Sequence, residues 1–262
     1  MRAVTPMAQQ LADGMMSQGD VELVRDGSPA FLLLLDALVE SNPDNPDLLL
    51  AAAEARLAYA SGFVRDNQPE RARAMYGIAR DHGLRALSRN RLFADALDGS
   101  LDDFQASLQH FRKRDASALI TTGMAWTLWI ISSADSPAAI GEMPRALAIM
   151  ERVQELDPEI RQGSVDVFFG IYYTVLPLGG GRDLNRARHH FERSMEIAGF
   201  EYLFPRVMFA EYYARYAFDR DLFETTLTEV LTAEPSRREH TLMNTMAQVR
   251  ARELLDEIDE FF

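Results

Sequence analysis

The chain has 262 residues, 47% hydrophobic and 26% charged, which suits a large buried core and argues against disorder. Its 40 acidic against 27 basic side chains leave a formal charge of −13, so nucleic acid and anionic membrane surfaces find no basic footprint here. The absence of cysteine excludes disulfides, thiol catalysis and cysteine-ligated metal.

In chain order, a short amphipathic start over about residues 6–16 runs into the turn-rich QGDVELVRDGSP. Pro29 is expected to open a helix carrying Phe31, Leu34, Leu35 and Leu38, which SNPDNP ends. FLLLLDALV is the longest markedly apolar tract, and Asp36 interrupts it far short of a membrane span. Pro46 precedes an Ala- and Leu-rich helix over 48–64 that closes on AYASGFV. Pro69 and Glu70 begin the next helix, with Ala72, Tyr76 and Ala79 on one face and Gly83 weakening its end. A shorter helix covers 101–111, and Asp115 has the place of an N-cap for ALITTGMAWTLWII. After SSADSP come helices over 144–156 and 163–176, then PLGGGRD, with Asp183 capping the following helix. Segments 204–218 and 221–233 form a further hairpin, and a long terminal helix spans about 237–262.

One pattern recurs through these segments: an apolar or small residue, further ones four and seven later, and a helix breaker near twelve. It reads Ala146, Met150, Val153, Pro158; Ala187, Phe191, Ser194, Gly199; Phe223, Leu227, Val230, Pro235; and Phe31, Leu35, Leu38, Pro43. Ala72, Tyr76 and Ala79 make a weaker copy without the breaker. The copies stand 41, 74, 41 and 36 residues apart. Phe169, Gly170, Tyr173 and Phe209, Ala210, Tyr213 fit the large-small-aromatic signature of a first helix, the small residue marking a close crossing. The expected fold is all-α: a single domain, 1–262, built as an irregular tetratricopeptide-like helical-hairpin solenoid of about eleven to thirteen helices.

GDVELVRDGSPAFLLLLDALVESNPDNPDLLLAAAEARLAYASGFV resembles the N-terminal half of the T component, TatT-like, of tripartite ATP-independent periplasmic (TRAP) transporters. The similarity continues in the same order through YGIARDHGLRAL, GMAWTLWI, FGIYYTVLPLGGGRDLNRARHHFERS and NTMAQVRARELLDEIDEFF. The resemblance implies a periplasmic accessory protein, usually lipid-anchored and homotrimeric. Such a protein docks the substrate-binding P component and offers an apolar channel to a hydrophobic small molecule. MRAVTPMAQQ has no apolar signal core and there is no anchor cysteine, so an export signal and anchor are expected to belong to a native precursor.

Aromatic residues form the sharpest local feature, and a presumed first helix lines the inner face of a solenoid. Tyr59, Phe63, Trp126, Trp129, Tyr172 and Tyr173 are the candidate lining of a ligand channel, each alternatively a core residue. Asn244 and Gln248, one turn apart, are candidates for a polar contact there or for a buried hydrogen bond between helices. Catalytic readings find little support. His189 and His190 are adjacent and point apart on a helix, while His82, His110 and His240 are isolated and no HExxH occurs. Gly179 to Arg182 follows no strand, RKR at Arg112 to Arg114 reads as a solvated helix end, and DEIDE reads as a solvated face. No enzyme, metal or cofactor is expected. The alternative is a cytosolic tetratricopeptide scaffold for peptide segments, whose grooves often carry Lys and Arg where these first helices carry few.

Overall fold

A computed structural model describes residues 4–235 and 239–262, with side chains from residue 10 onward. The chain is 78% helical, and no strand occurs among the described residues. Its helices are α1 (Val4–Met16), α2 (Val21–Ser41), α3 (Pro46–Tyr59), α4 (Pro69–Leu87), α5 (Arg91–Ala96), α6 (Leu101–Leu108) and α7 (Ala116–Ile131). There follow α8 (Pro137–Gly141), α9 (Met143–Leu156), α10 (Ile160–Val175), α11 (Leu184–Ala198) and α12 (Phe204–Met208). The last are α13 (Arg220–Thr232), α14 (Thr241–Asp256) and α15 (Ile258–Phe261). Short pieces such as α8 and α15 lift the number above the sequence expectation. Two compact units emerge: Met1–Ala12 with Glu22–Asp157, and Asp13–Val21 with Pro158–Phe262.

In the first unit, α2 runs through the segment expected to be a turn. Pro29 lies inside the helix, and Ser28 donates its Oγ hydrogen to the Val24 carbonyl at 2.6 Å, which turns its hydroxyl back onto the helix. The buried face carries Val24, Phe31, Leu32, Leu35 and Val39, whereas Leu34 is half exposed. Asn45 caps α3 by accepting from the Asp47 and Leu48 amides, and Pro46 fills the first turn where no amide partner is needed. At its end α3 widens into a π turn, Ala60–Val64, closed by the Arg65 amide on the Ala60 carbonyl at 2.9 Å.

The core of this unit gathers Ala53, Leu57, Ala60, Val64, Ala72, Tyr76, Ala79 and Ala125 from α3, the π turn, α4 and α7. Small residues allow close approach. Gly83 does not end α4 but faces the Thr122 side chain of α7, and a Cβ on Gly123 would lie 2.7 Å from Met150 Sδ of α9. Asp115 differs from its expected role, because its Oδ2 accepts from the Arg112 amide at 2.8 Å and caps the 3-10 turn before α7.

In the second unit, α10 begins with a left-handed turn: Arg161, Gln162 and Gly163 have φ of 48°, 54° and 76°. Gly163 is required twice over, since a Cβ there would also lie 3.2 Å from the Ser194 Cα. Regular helix therefore starts one residue later than the sequence suggests. Gly170 lets α11 approach so closely that a Cβ would sit 2.7 Å from the ring of fully buried Phe191. Asp183 caps α11 through the Asn185 and Arg186 amides, as its position predicts. A second π turn, Phe209–Ala214, extends α12. Leu203, Val207, Ala210, Phe223, Leu227, Val230, Ala247, Ala251 and Leu254 make the second core. Residues 237–238, expected in the terminal helix, lie outside the described residues, and the helix is observed from Thr241. The recurrent positions 146, 150, 153; 187, 191, 194; and 223, 227, 230 are all buried.

Candidate functional site

Tyr59 and Phe63 flank the start of the first π turn, rings 5.7 Å apart, and both are only half buried. The π turn shifts the register by one residue, which turns side chains four apart away from ordinary helical stacking. Trp129 of α7 packs against the same core and is also half buried. The guanidinium of Arg80 lies 3.9 Å over its ring, and Gly77 leaves room for the ring edge. Trp126 is different. It is buried against Phe104 at 6.2 Å, and its Nε1 donates to Glu142 at 2.6 Å. Glu142 also lies 3.6 Å from Arg80, which pairs with Asp81 at 2.9 Å. Both tryptophans are thus tied to one charge network, Trp126 through Glu142 and Trp129 through Arg80, a role that the sequence did not reveal.

In the second unit, Tyr172 and Tyr173 meet edge to face at 5.3 Å and remain half buried. Behind them Phe168 and Phe169 are buried, in contact at 5.2 Å. Asn244 and Gln248 bind backbone. Asn244 is fully buried, its Oδ1 accepting from the Leu203 amide at 2.9 Å and its Nδ2 donating to the Glu201 carbonyl at 2.9 Å. Gln248 Nε2 donates to the carbonyls of Val230 and Ala233, at 3.0 and 2.9 Å, closing the end of α13. Nearby Tyr202 is enclosed, and burial pushes its phenol up to about 12.

The polar feature whose partners sequence reasoning did not foresee is Asp166, one of the few acids in the presumed first helices. It is fully buried within the apolar run SVDVFFGIYYTV, and its Oδ1 accepts from His190 Nδ1 at 2.7 Å. Arg193 Nε approaches its other oxygen at 3.5 Å. A buried carboxylate costs several kcal/mol unless paired, and the cation and imidazole of α11 offset that cost. The imidazole lies between Phe169 and Tyr173, stacked on the latter at 5.7 Å and 14°. Arg186 covers the Tyr173 ring at 4.0 Å. One signal was legible: a lone acid in an apolar helix, followed on the next helix by basic residues at positions 186, 190 and 193. His189, by contrast, is exposed and points away from this cluster's carboxylate.

Elsewhere, burial first, then Arg56 and Arg85, pushes the His82 imidazole below its usual range. Arg56 is buried, and its Nη2 alone donates to both Asp36 oxygens, at 2.7 and 2.6 Å. Among the described residues, no group of three or more acids and histidines is placed to hold a metal, and no helix is long and apolar enough to cross a membrane.

The sequence profile of the TRAP transporter T-component family matches residues 17–262. A protein of Treponema pallidum (strain Nichols), described as uncharacterized, is 22% identical over 262 aligned positions, which cover 94% of this chain and 81% of that protein. With buried repeat positions through both units and the family match running from residue 17 to the last residue, the chain belongs to the TRAP transporter T-component family, a transporter accessory family.

Proposed function

We propose that this protein is a non-enzymatic periplasmic accessory of a TRAP transporter that docks the substrate-binding component and shelters a hydrophobic small molecule in an apolar channel. We propose further that it works as a homotrimer and is lipid-anchored in its native precursor. The observation that carries the ligand reading is a set of large aromatic side chains left half buried within their own unit: Tyr59, Phe63 and Trp129 in one, Tyr172 and Tyr173 in the other. An apolar solute gains roughly 25 cal/mol for each Å² it removes from water, so such walls favour its stay. Tyrosine and tryptophan add a polar edge to a flat apolar face, which orients a ligand without holding it too tightly. Trp126 is linked to this lining through Glu142 and Arg80, which covers Trp129, whereas Asn244 and Gln248 bind backbone at residues 201, 203, 230 and 233.

Binding of an apolar fluorescent probe to Tyr173→Ala and Trp129→Ala proteins tests the lining. Weakened binding in folded variants supports it, and unchanged affinity in both counts against it. Sedimentation of the chain with its cognate substrate-binding component tests docking and self-association together; two species that never co-sediment would sink the docking reading.

A further inference from the structure

We infer that the substrate-binding component docks on an apolar patch centred on Phe218, with Leu178 and Tyr216, through a socket bordered by lysine or arginine. This rests on the reading of the protein as a transporter accessory that docks that component. Phe218 follows the π turn that extends α12. There the Asp219 amide donates to the Ala214 carbonyl at 3.0 Å, and the Phe218 amide to the Arg215 carbonyl at 3.1 Å. This pair of bonds closes a helix on a left-handed residue, a place that glycine fills with least strain. Gly199 fills it after α11, with φ 56°. Phe218 holds the same φ with a bulky side chain. Its own unit gains little from this: the residue is 79% exposed, and its ring meets Phe262 edge-on with centroids 6.5 Å apart. Strain at an exposed aromatic points to a contact made outside the unit.

Neighbouring residues extend the patch. Leu178 is 84% exposed in the join between α10 and α11, and Arg182 of that join lies 5.4 Å over the exposed Tyr216 ring. Half-buried Phe261 and Phe262 back the patch by packing against Phe223 of the core. The border is acidic. Residues 215–221 carry Asp219 and Asp221 against Arg215 and Arg220. Residues 256–262 carry Asp256, Glu257, Asp259 and Glu260 with no base. With Arg182 counted, six carboxylates stand against three guanidinium groups. Asp259 pairs with Arg220 at 2.7 Å, whereas Glu257 and Glu260 are exposed and meet no cation among the described residues. A second copy would bring the same acids to the contact, in a chain whose formal charge is already −13. Like charges facing one another disfavour that pairing, and a socket edged with lysine or arginine is favoured instead.

The test is calorimetric titration of the full chain with its cognate substrate-binding component at low and high salt, beside thermal melts and sedimentation of the chain alone. Phe218→Gly should weaken docking about ten-fold or more, as loss of a central aromatic does, and should melt no lower than the wild type. Leu178→Ser, in an open join, should weaken docking about three-fold or more and leave the melt unchanged. Glu257→Gln/Glu260→Gln should weaken docking about two-fold or more at low salt and flatten its salt dependence. Wild-type affinity in both the Phe218→Gly and Leu178→Ser proteins would overturn the patch and leave docking standing. A lower melt for Phe218→Gly would give the ring a duty within its own unit and overturn the argument from strain. Lost self-association with docking unchanged would assign the patch to a second copy and overturn the inference. Wild-type docking indifferent to salt would overturn the basic border, and no docking by the wild type would overturn this inference and the docking reading together.

Discussion

The two units solve the problem of charge beside aromatic rings in opposite ways. In the first, Arg80 lies between Asp81 and Glu142, and Glu142, which accepts from Trp126, is still partly open to water at 37% of its side chain. In the second, the acid is sealed at 0% exposure against an imidazole only 13% exposed, and Arg193, 40% exposed, closes the surface side. A carboxylate that water still reaches can replace a lost partner with solvent, whereas a sealed one cannot.

Removing each acid should break this contrast most visibly. Asp166→Ala leaves a buried imidazole and a guanidinium without their anion, and should cost about 2–3 kcal/mol, below the about 3–5 kcal/mol of a fully enclosed pair because Arg193 is part exposed. Glu142→Ala removes the Trp126 bond and the Arg80 pair but at a site water can reach, and should cost about 1–2 kcal/mol. Urea denaturation of the two variants measures both, and equal losses would erase the distinction.

The helix crossings sharpen it next. Gly170→Ala drives a methyl into the rigid Phe191 ring, an overpacking of about 1–3 kcal/mol that the better helix propensity of alanine, about 1 kcal/mol, only partly offsets. Gly123→Ala meets the flexible thioether of Met150 and should lose less than about 1 kcal/mol. Thermal melts that rank the two the other way would show that the first crossing is the stiffer.

Trp126→Phe keeps most of the ring but not its N–H, and about 1 kcal/mol should go with the bond to Glu142. The smallest effect is a pH dependence. His82 has a lowered pKa in the fold, so the unfolded chain binds the proton more readily. The contribution of this group is then complete above its unfolded value of about 6.5 and is lost as pH falls through the lowered folded value. The melting temperature should therefore drop on acidification below about pH 6.5 in the wild type more than in His82→Gln. Parallel curves would rule out that residue as the cause.

Much of this was open to reading from residues in line. Pro46 and Pro69 begin helices, Asp183 caps one, and Gly170 marks a close crossing, because propensity, capping and side-chain size act locally. Local signals also misled. Gly27, Ser28 and Pro29 look like a turn, yet Ser28 bonds back to Val24 and packing of Phe31, Leu32 and Leu35 carries the helix through. Asp115 looks like the cap of α7 and caps the preceding turn instead.

Sequence alone determined the all-α class, the spacing of the buried positions and, through an ordered set of segments, the family. The pairing of Asp166 with His190 across 24 residues, the place of Arg80 over Trp129, and the backbone duties of Asn244 and Gln248 were decided by tertiary structure. The physical reason is that periodicity fixes which face of a helix is apolar, whereas the partner of a polar group depends on which helix arrives opposite it and at what height.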